Sequence, residues 1–245
     1  MSIAVVTGVI DRRILVNYNI DADRIARVLP PPFQPKLVNG RAVGGICLIR
    51  LKQLRPRFLP AAFGFSSENA AHRIAVEWQQ DGVTREGVYI PRRDTSAWLH
   101  TLLGGRAFPG THHRADFTVR ETADRYFVEM QARDGGSRVL VDAVLASGLP
   151  ATSVFRSVAE ASSFFERGSL GYSSTLDRAR FEGLELSAAD WHVEPLAVER
   201  VESSFFDDRE QFAEGTVRFD SALLMQGIVH EWVAREALCC GTSSV

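Results

Sequence analysis

Strand-length segments that turn back on one another at hairpin spacing constrain this chain more than any other feature. His72-Arg-Ile-Ala-Val-Glu-Trp78 alternates in character, Asp81-Gly82 supplies a turn pair, and residues 83–90 return. Residues 115–122, 125–133 and 138–146 read as a meander, with Asp134-Gly135-Gly136 turning its last pair. Residues 41–54 form a longer strand, in which Gly44-Gly45 marks a bulge or a close backbone approach. A short strand is predicted at 14–18, and two or three more long strands at 192–206, 216–219 and 223–233. Helical spacing is confined to three places. Residues 21–29 start on Asp21 as N-cap and are stopped by Pro30-Pro31-Pro32. Residues 95–104 carry Trp98, Leu99, Leu102 and Leu103 on one side, and 157–167 are followed by Gly168. Many strands and few short helices predict a mainly β (α+β) fold, an antiparallel sheet curled into a barrel. With 245 residues, no repeat and no linker-like stretch, one domain over 1–245 is expected.

Composition then removes several functions. The net charge of −2 gives no field to attract nucleic acid. Cys47, Cys239 and Cys240 are odd in number and two are adjacent, which suits a reducing cytoplasm rather than a disulfide framework. Residues 1–10 read as a strand and not as a signal peptide, and no apolar run reaches membrane-span length. No cysteine or histidine spacing suits a structural zinc, and Gly104-Gly105 follows a helix instead of opening one on a phosphate. No metal, no cofactor, no nucleic acid and no membrane are therefore expected, while the chain admits a homo-oligomer.

Particular stretches carry a family resemblance. Ile14-Leu-Val-Asn-Tyr-Asn-Ile-Asp-Ala-Asp-Arg-Ile-Ala-Arg-Val-Leu-Pro30 resembles the opening strand–helix–proline unit of acetoacetate decarboxylases. Gly64-Phe-Ser-Ser-Glu68 resembles the segment with that family's active-site glutamate, and Gly105-Arg-Ala-Phe-Pro109 sits where the family has its Tyr-Pro-Lys-Lys. Phe164-Phe-Glu-Arg-Gly-Ser-Leu-Gly-Tyr172 and Asp190-Trp-His-Val-Glu-Pro-Leu196 resemble an uncharacterised branch of the same superfamily. The resemblance implies a cone-like barrel of the acetoacetate decarboxylase type around a small-molecule cavity.

It also implies a reaction this chain is not equipped for. The family forms an imine on a lysine whose amine is activated by a cationic neighbour. Of the 28 Lys and Arg here, only Lys36 and Lys52 are lysine, and both precede Glu68. The matching segment reads Pro109-Gly110-Thr111-His112, or in a looser register Pro91-Arg92-Arg93. Neither offers an amine, so imine-forming decarboxylation is not expected.

Glu68, matched to the family glutamate, is a candidate cavity carboxylate, set against a solvated residue at a strand start. His112 and His113 are candidate acid–base groups; on a strand only one of them can face a cavity. Arg106 can clamp a carboxylate. Arg13 adjoins the place where the family's substrate-binding arginine falls, near Asp11. Tyr89 is a further ligand-facing candidate, although strand residues such as Tyr89 and His72 ordinarily end in a hydrogen bond beside the core. Glu68 is expected to share a pocket with Arg106 or with one of the two histidines. Three readings remain: a binder of a small carbonyl or carboxylate compound, a lyase or hydrolase using a Glu/His pair, and a filled barrel that serves as a structural or partner-binding module.

Overall fold

A computed structural model describes residues 5–97, 110–177 and 179–239. It is built from β1 (Val5–Ile20), α1 (Ala22–Ala26), the two-residue strands β2 (Gln34–Pro35) and β3 (Leu37–Val38), β4 (Arg41–Pro56), β5 (Phe65–Gln80) and β6 (Val83–Thr95). The meander β7 (His112–Glu121), β8 (Arg125–Ala132) and β9 (Arg138–Leu145) follows, then α2 (Val158–Arg167). β10 (Leu170–Ser174), β11 (Arg180–Ala188), β12 (Glu194–Ser203) and β13 (Val217–Cys239) complete it. The mainly β expectation holds, and the sheet closes on itself.

It closes twice. β13, β1, β4, β5, β6, β10 and β11 pair in turn and return to β13, a ring of seven strands. The same β13–β1–β4–β5–β6 wall is also closed by β7, β8, β9 and β12, a ring of nine. β6 and β13 are the seams. On one edge, β6 pairs with β10 at Val88–Ile90 and with β7 at Arg93–Thr95, both in parallel. Pro91 falls between the two partners, where a missing N–H costs no ladder bond on that edge. The strand therefore continues past the proline at which alternation alone would stop it. β13 likewise pairs with β12 at Ala222–Leu224 and with β11 from His230 onward, which explains its 23 residues. The two strands expected at 216–219 and 223–233 are one.

Each ring has its own interior. Ile14, Val16, Leu48, Val128, Val141 and Leu224 belong to the apolar cluster that fills the nine-stranded ring. Leu15, Cys47, Ala71, Ile90, Leu186 and Met225 belong to the cluster on the other face of the shared wall, joined by Phe164 and Phe165 of α2. α2 is fixed at both ends: the Ser157 hydroxyl accepts from Glu160 N at 3.1 Å, the Glu160 carboxylate accepts from Arg156 N at 2.7 Å, and Gly168 caps the C-terminus. α1 is shorter than the periodicity predicts, because the chain leaves the helix before Pro30-Pro31-Pro32. The helix expected over 95–104 begins instead with Thr95 as the last residue of β6, and residues 98–109, Arg106 included, lie outside the described residues.

The Asp81-Gly82 turn has positive φ at both residues, 52° and 73°, as a tight hairpin requires. Gly44-Gly45 is a close approach. A Cβ on Gly45 would stand 2.2 Å from the Val16 carbonyl oxygen, and one on Gly44 would stand 2.7 Å from Ile20 Cδ1. Backbone cannot yield as a side chain can, so Gly45→Ala is expected to lose about 2 kcal/mol in urea unfolding. Gly148→Ala, with nothing within 4 Å of the added atom, should stay within about 0.5 kcal/mol of wild type. Equal losses would show that the approach at Gly45 carries no constraint.

Candidate functional site

A bulge at Asp11 decides what faces the cavity. The β1–β4 register shifts between Ile10 and Arg12, so the side-chain alternation reverses there. The shift takes Arg12 off the face of Ile10, and ordinary alternation beyond it sends Arg12 and Arg13, adjacent in sequence, to different interiors. Arg12 points to the nine-stranded ring and Arg13 to the seven-stranded one.

Arg12 is 1% exposed and donates to Glu68 at 2.6 Å and to Glu121 at 2.5 Å. Arg50 donates to the same two carboxylates at 2.5 and 2.9 Å. Burial raises the Glu121 carboxyl, but Arg12 and Arg50 overcome it and hold it below the ordinary range. Glu68 thus belongs to a four-membered ion cluster. It shares the β5 face of Ala70 and Ile74, both in the nine-stranded core, and it does not line the cavity of the other ring. Glu68 was expected to share a pocket with Arg106 or with one of His112 and His113; His112 lines the cavity that Glu68 does not, His113 meets Asp134, and Arg106 lies outside the described residues.

The cavity lies inside the seven-stranded ring and has a volume of about 110 Å³. Its apolar wall includes Ile49, Val88, Ile90, Phe165 and Leu186, and its polar wall carries Arg13, Arg73, Arg93, Asn69, Cys47 and His112. Arg73 is 4% exposed; it donates to Asn17 Oδ1 at 2.5 Å and lies over the Phe165 ring, 4.5 Å from its centroid. Its Nε has no hydrogen-bond partner among the described residues. Arg93 donates to Ser173 Oγ at 2.8 Å. Arg13 donates from Nε to Cys47 Sγ at 3.3 Å and from Nη1 to Met225 Sδ at 3.7 Å, above Trp191. Burial lowers the Arg73 and Arg93 guanidinium pKa values to about 10, which still leaves both charged at neutral pH. No carboxylate among the described residues forms an ion pair with Arg13, Arg73 or Arg93. Asp94, the one acid on the wall among the described residues, accepts from Arg92 Nε with both oxygens at 3.0 Å.

The remaining candidates divide. His112 lines the cavity, whereas His113 turns the other way and meets Asp134 at 2.8 Å. Tyr89 faces away from the cavity; its hydroxyl lies 2.8 Å from Ser174 Oγ and its ring packs 5.4 Å from that of Phe33. Arg106 lies outside the described residues. Lys36 pairs with Glu86 at 2.5 Å and Lys52 with Asp11 at 2.7 Å, and neither lines the cavity. Among the described residues no three His, Cys, Asp or Glu side chains converge as a metal site, and no helix is long and apolar enough to cross a membrane.

No motif marks Arg73, Cys47 or Asn69 as wall residues of this cavity. The available signal was parity: Asn69, Ala71 and Arg73 share one face of β5. A charged residue in the middle of so apolar a strand is costly unless something compensates it.

No curated protein matches the chain. A family model described as an uncharacterized conserved protein matches residues 9–223. Among solved structures, acetoacetate decarboxylase from Legionella pneumophila superposes with a TM-score of 0.58 at 10% identity, over 96% of this chain and 87% of that one. An acetoacetate decarboxylase-like enzyme from Sphingomonas wittichii gives 0.56 at 12% identity, over 98% and 93%. The enduracididine biosynthesis enzyme MppR, in complex with pyruvate, gives 0.56 at 12% identity, over 98% and 91%. The chain has the acetoacetate decarboxylase-like fold.

Proposed function

The chain belongs to the family DUF2071, and from its fold and cavity we propose that it binds a small organic acid bearing a carbonyl group, without forming an imine. One observation carries the reading: Arg13, Arg73 and Arg93 line one small cavity, none of them forms an ion pair with a carboxylate among the described residues, and the wall acid Asp94 is paired to Arg92. Three guanidinium groups behind apolar walls favour an anion, and the planar fork of arginine suits a carboxylate. The volume of about 110 Å³ fits a compact acid better than a drug-sized molecule, whose pockets run to ~300–1,000 Å³. The neighbour MppR has been captured with pyruvate, a small keto acid. His112 is the wall residue suited to exchanging a proton with a bound carbonyl.

Thermal unfolding with pyruvate, acetoacetate or acetone tests this. At saturating ligand the two acids should raise the melting temperature by about 5–10 °C and acetone should not. Arg73→Met and Arg93→Met should each remove the shift. Borohydride added with either acid should leave no mass gain on Lys36 or Lys52. An equal response to acetone would refute anion recognition, and a lysine adduct would restore the imine.

A further inference from the structure

We propose that Cys47 is a nucleophile of this cavity and that its sulfur adds reversibly to the carbonyl carbon of a bound α-keto acid. The inference rests on the anion-binding reading above and extends it to a covalent step. Cys47 sits in β4 between Leu15 of β1 and Ala71 of β5. It lines the cavity at 8% exposure. The small side chain of Ala71 beside it leaves room near the sulfur. Arg13 Nε donates to Sγ at 3.3 Å, a hydrogen bond that strengthens as the sulfur gains negative charge.

A second observation points to the ligand independently. Arg73 is 4% exposed and lines the same cavity, yet its Nε has no partner among the described residues. A buried donor left unmade is costly, and an incoming carboxylate relieves it. Cys47, Arg73 and Arg93 line the same cavity of about 110 Å³. A carboxylate held by Arg73 and Arg93 thereby brings an adjacent keto carbon to the sulfur. Ser169 and His112 also line the cavity, but sulfur is the softer and stronger nucleophile toward a carbonyl carbon.

The step balances within the two reactants. A sulfur lone pair forms the C–S bond, the C=O π electrons move to oxygen, and the thiol proton ends on that oxygen. The product is a thiohemiketal, and reversal releases the acid unchanged. No oxidant, reductant or second substrate takes part.

Two measurements on the intact chain test it. Alkylation is followed residue by residue with iodoacetate and iodoacetamide, the exposed Cys239 serving as internal reference. Relative to that reference, Cys47 should favour the anionic reagent on the order of tenfold. Pyruvate labelled with ¹³C at its keto carbon should show, on mixing with the protein, a tetrahedral carbon signal distinct from free hydrate. That signal should be missing with Cys47→Ala. If pyruvate still raises the melting temperature through Arg73 but either result is absent, the nucleophile is refuted and the binding reading survives. If pyruvate gives no thermal shift, both fall.

Discussion

Glu68→Ala should cost the fold about 3 kcal/mol in urea unfolding while leaving the response to pyruvate intact. The side chain lies among Arg12, Arg50 and Glu121, and Arg12 is 1% exposed. Removing one carboxylate leaves a guanidinium in a low-dielectric interior with half its former compensation. Glu121 remains on Arg12, which puts the expected loss at the lower end of the ~3–5 kcal/mol range for broken buried pairs. Glu68→Gln should fall between alanine and wild type, because it keeps an acceptor and loses the charge. The alternative outcome is specific: a variant as stable as wild type that no longer responds to pyruvate would move Glu68 from the ion cluster into the chemistry of the ligand.

Acid should unfold the protein well before its paired carboxylates titrate. His72 is 0% exposed, its ring 5.1 Å from that of Phe205, and neither ring nitrogen has a partner among the described residues. Burial, with Arg92 adding to it, lowers its pKa from 6.5 to about 4. His230, 1% exposed and edge-on to Trp232, is lowered to about 4 by burial and then by Arg13. Both rings are neutral in the folded chain at pH values where the unfolded chain already holds the proton. Stability is therefore full above pH 6.5, declines as pH falls from there, and has lost this contribution by about pH 4. Each histidine accounts for roughly 3 kcal/mol across that window. Urea midpoints taken from pH 7.5 down to 4 should slope accordingly in wild type, and His72→Phe should flatten the slope by about half. Parallel wild-type and variant curves would mean the histidines do not govern acid stability.

The hairpin at Asp81-Gly82, the meander and the caps of α2 follow from local turn and capping chemistry, which the sequence displays directly. β10 and β11 carry no comparable signal, because Leu170–Ser174 is short and rich in glycine and serine, and Gly183 interrupts Arg180–Ala188. Their pairing comes from β6 and β13, far away in the chain. His72 was expected to be hydrogen-bonded; its ring is instead packed among phenylalanines that the chain supplies more than a hundred residues later. Glu68 could be located by resemblance, but which interior it faces depends on a sheet that closes twice. The cavity arginines were hidden for a simpler reason. Where nearly every basic residue is arginine, the residue type alone does not separate a buried guanidinium from a solvated one.

The bulge at Asp11 sets the phase of β1. Ile10 packs in the cluster around the cavity and Ile14 in the cluster of the other ring, although four residues of unbroken alternation would put both on one face. Taking out Asp11 would let alternation run directly from Ile10 to Arg12, so Arg12 should still meet Glu68 and Glu121 and Arg13 should still face the cavity. A single residue gained or lost elsewhere in the strand has no extra residue to absorb it and inverts the faces on one side of the change. Chain length therefore guards the two arginines everywhere along β1 except at the one position where the strand already carries a residue to spare.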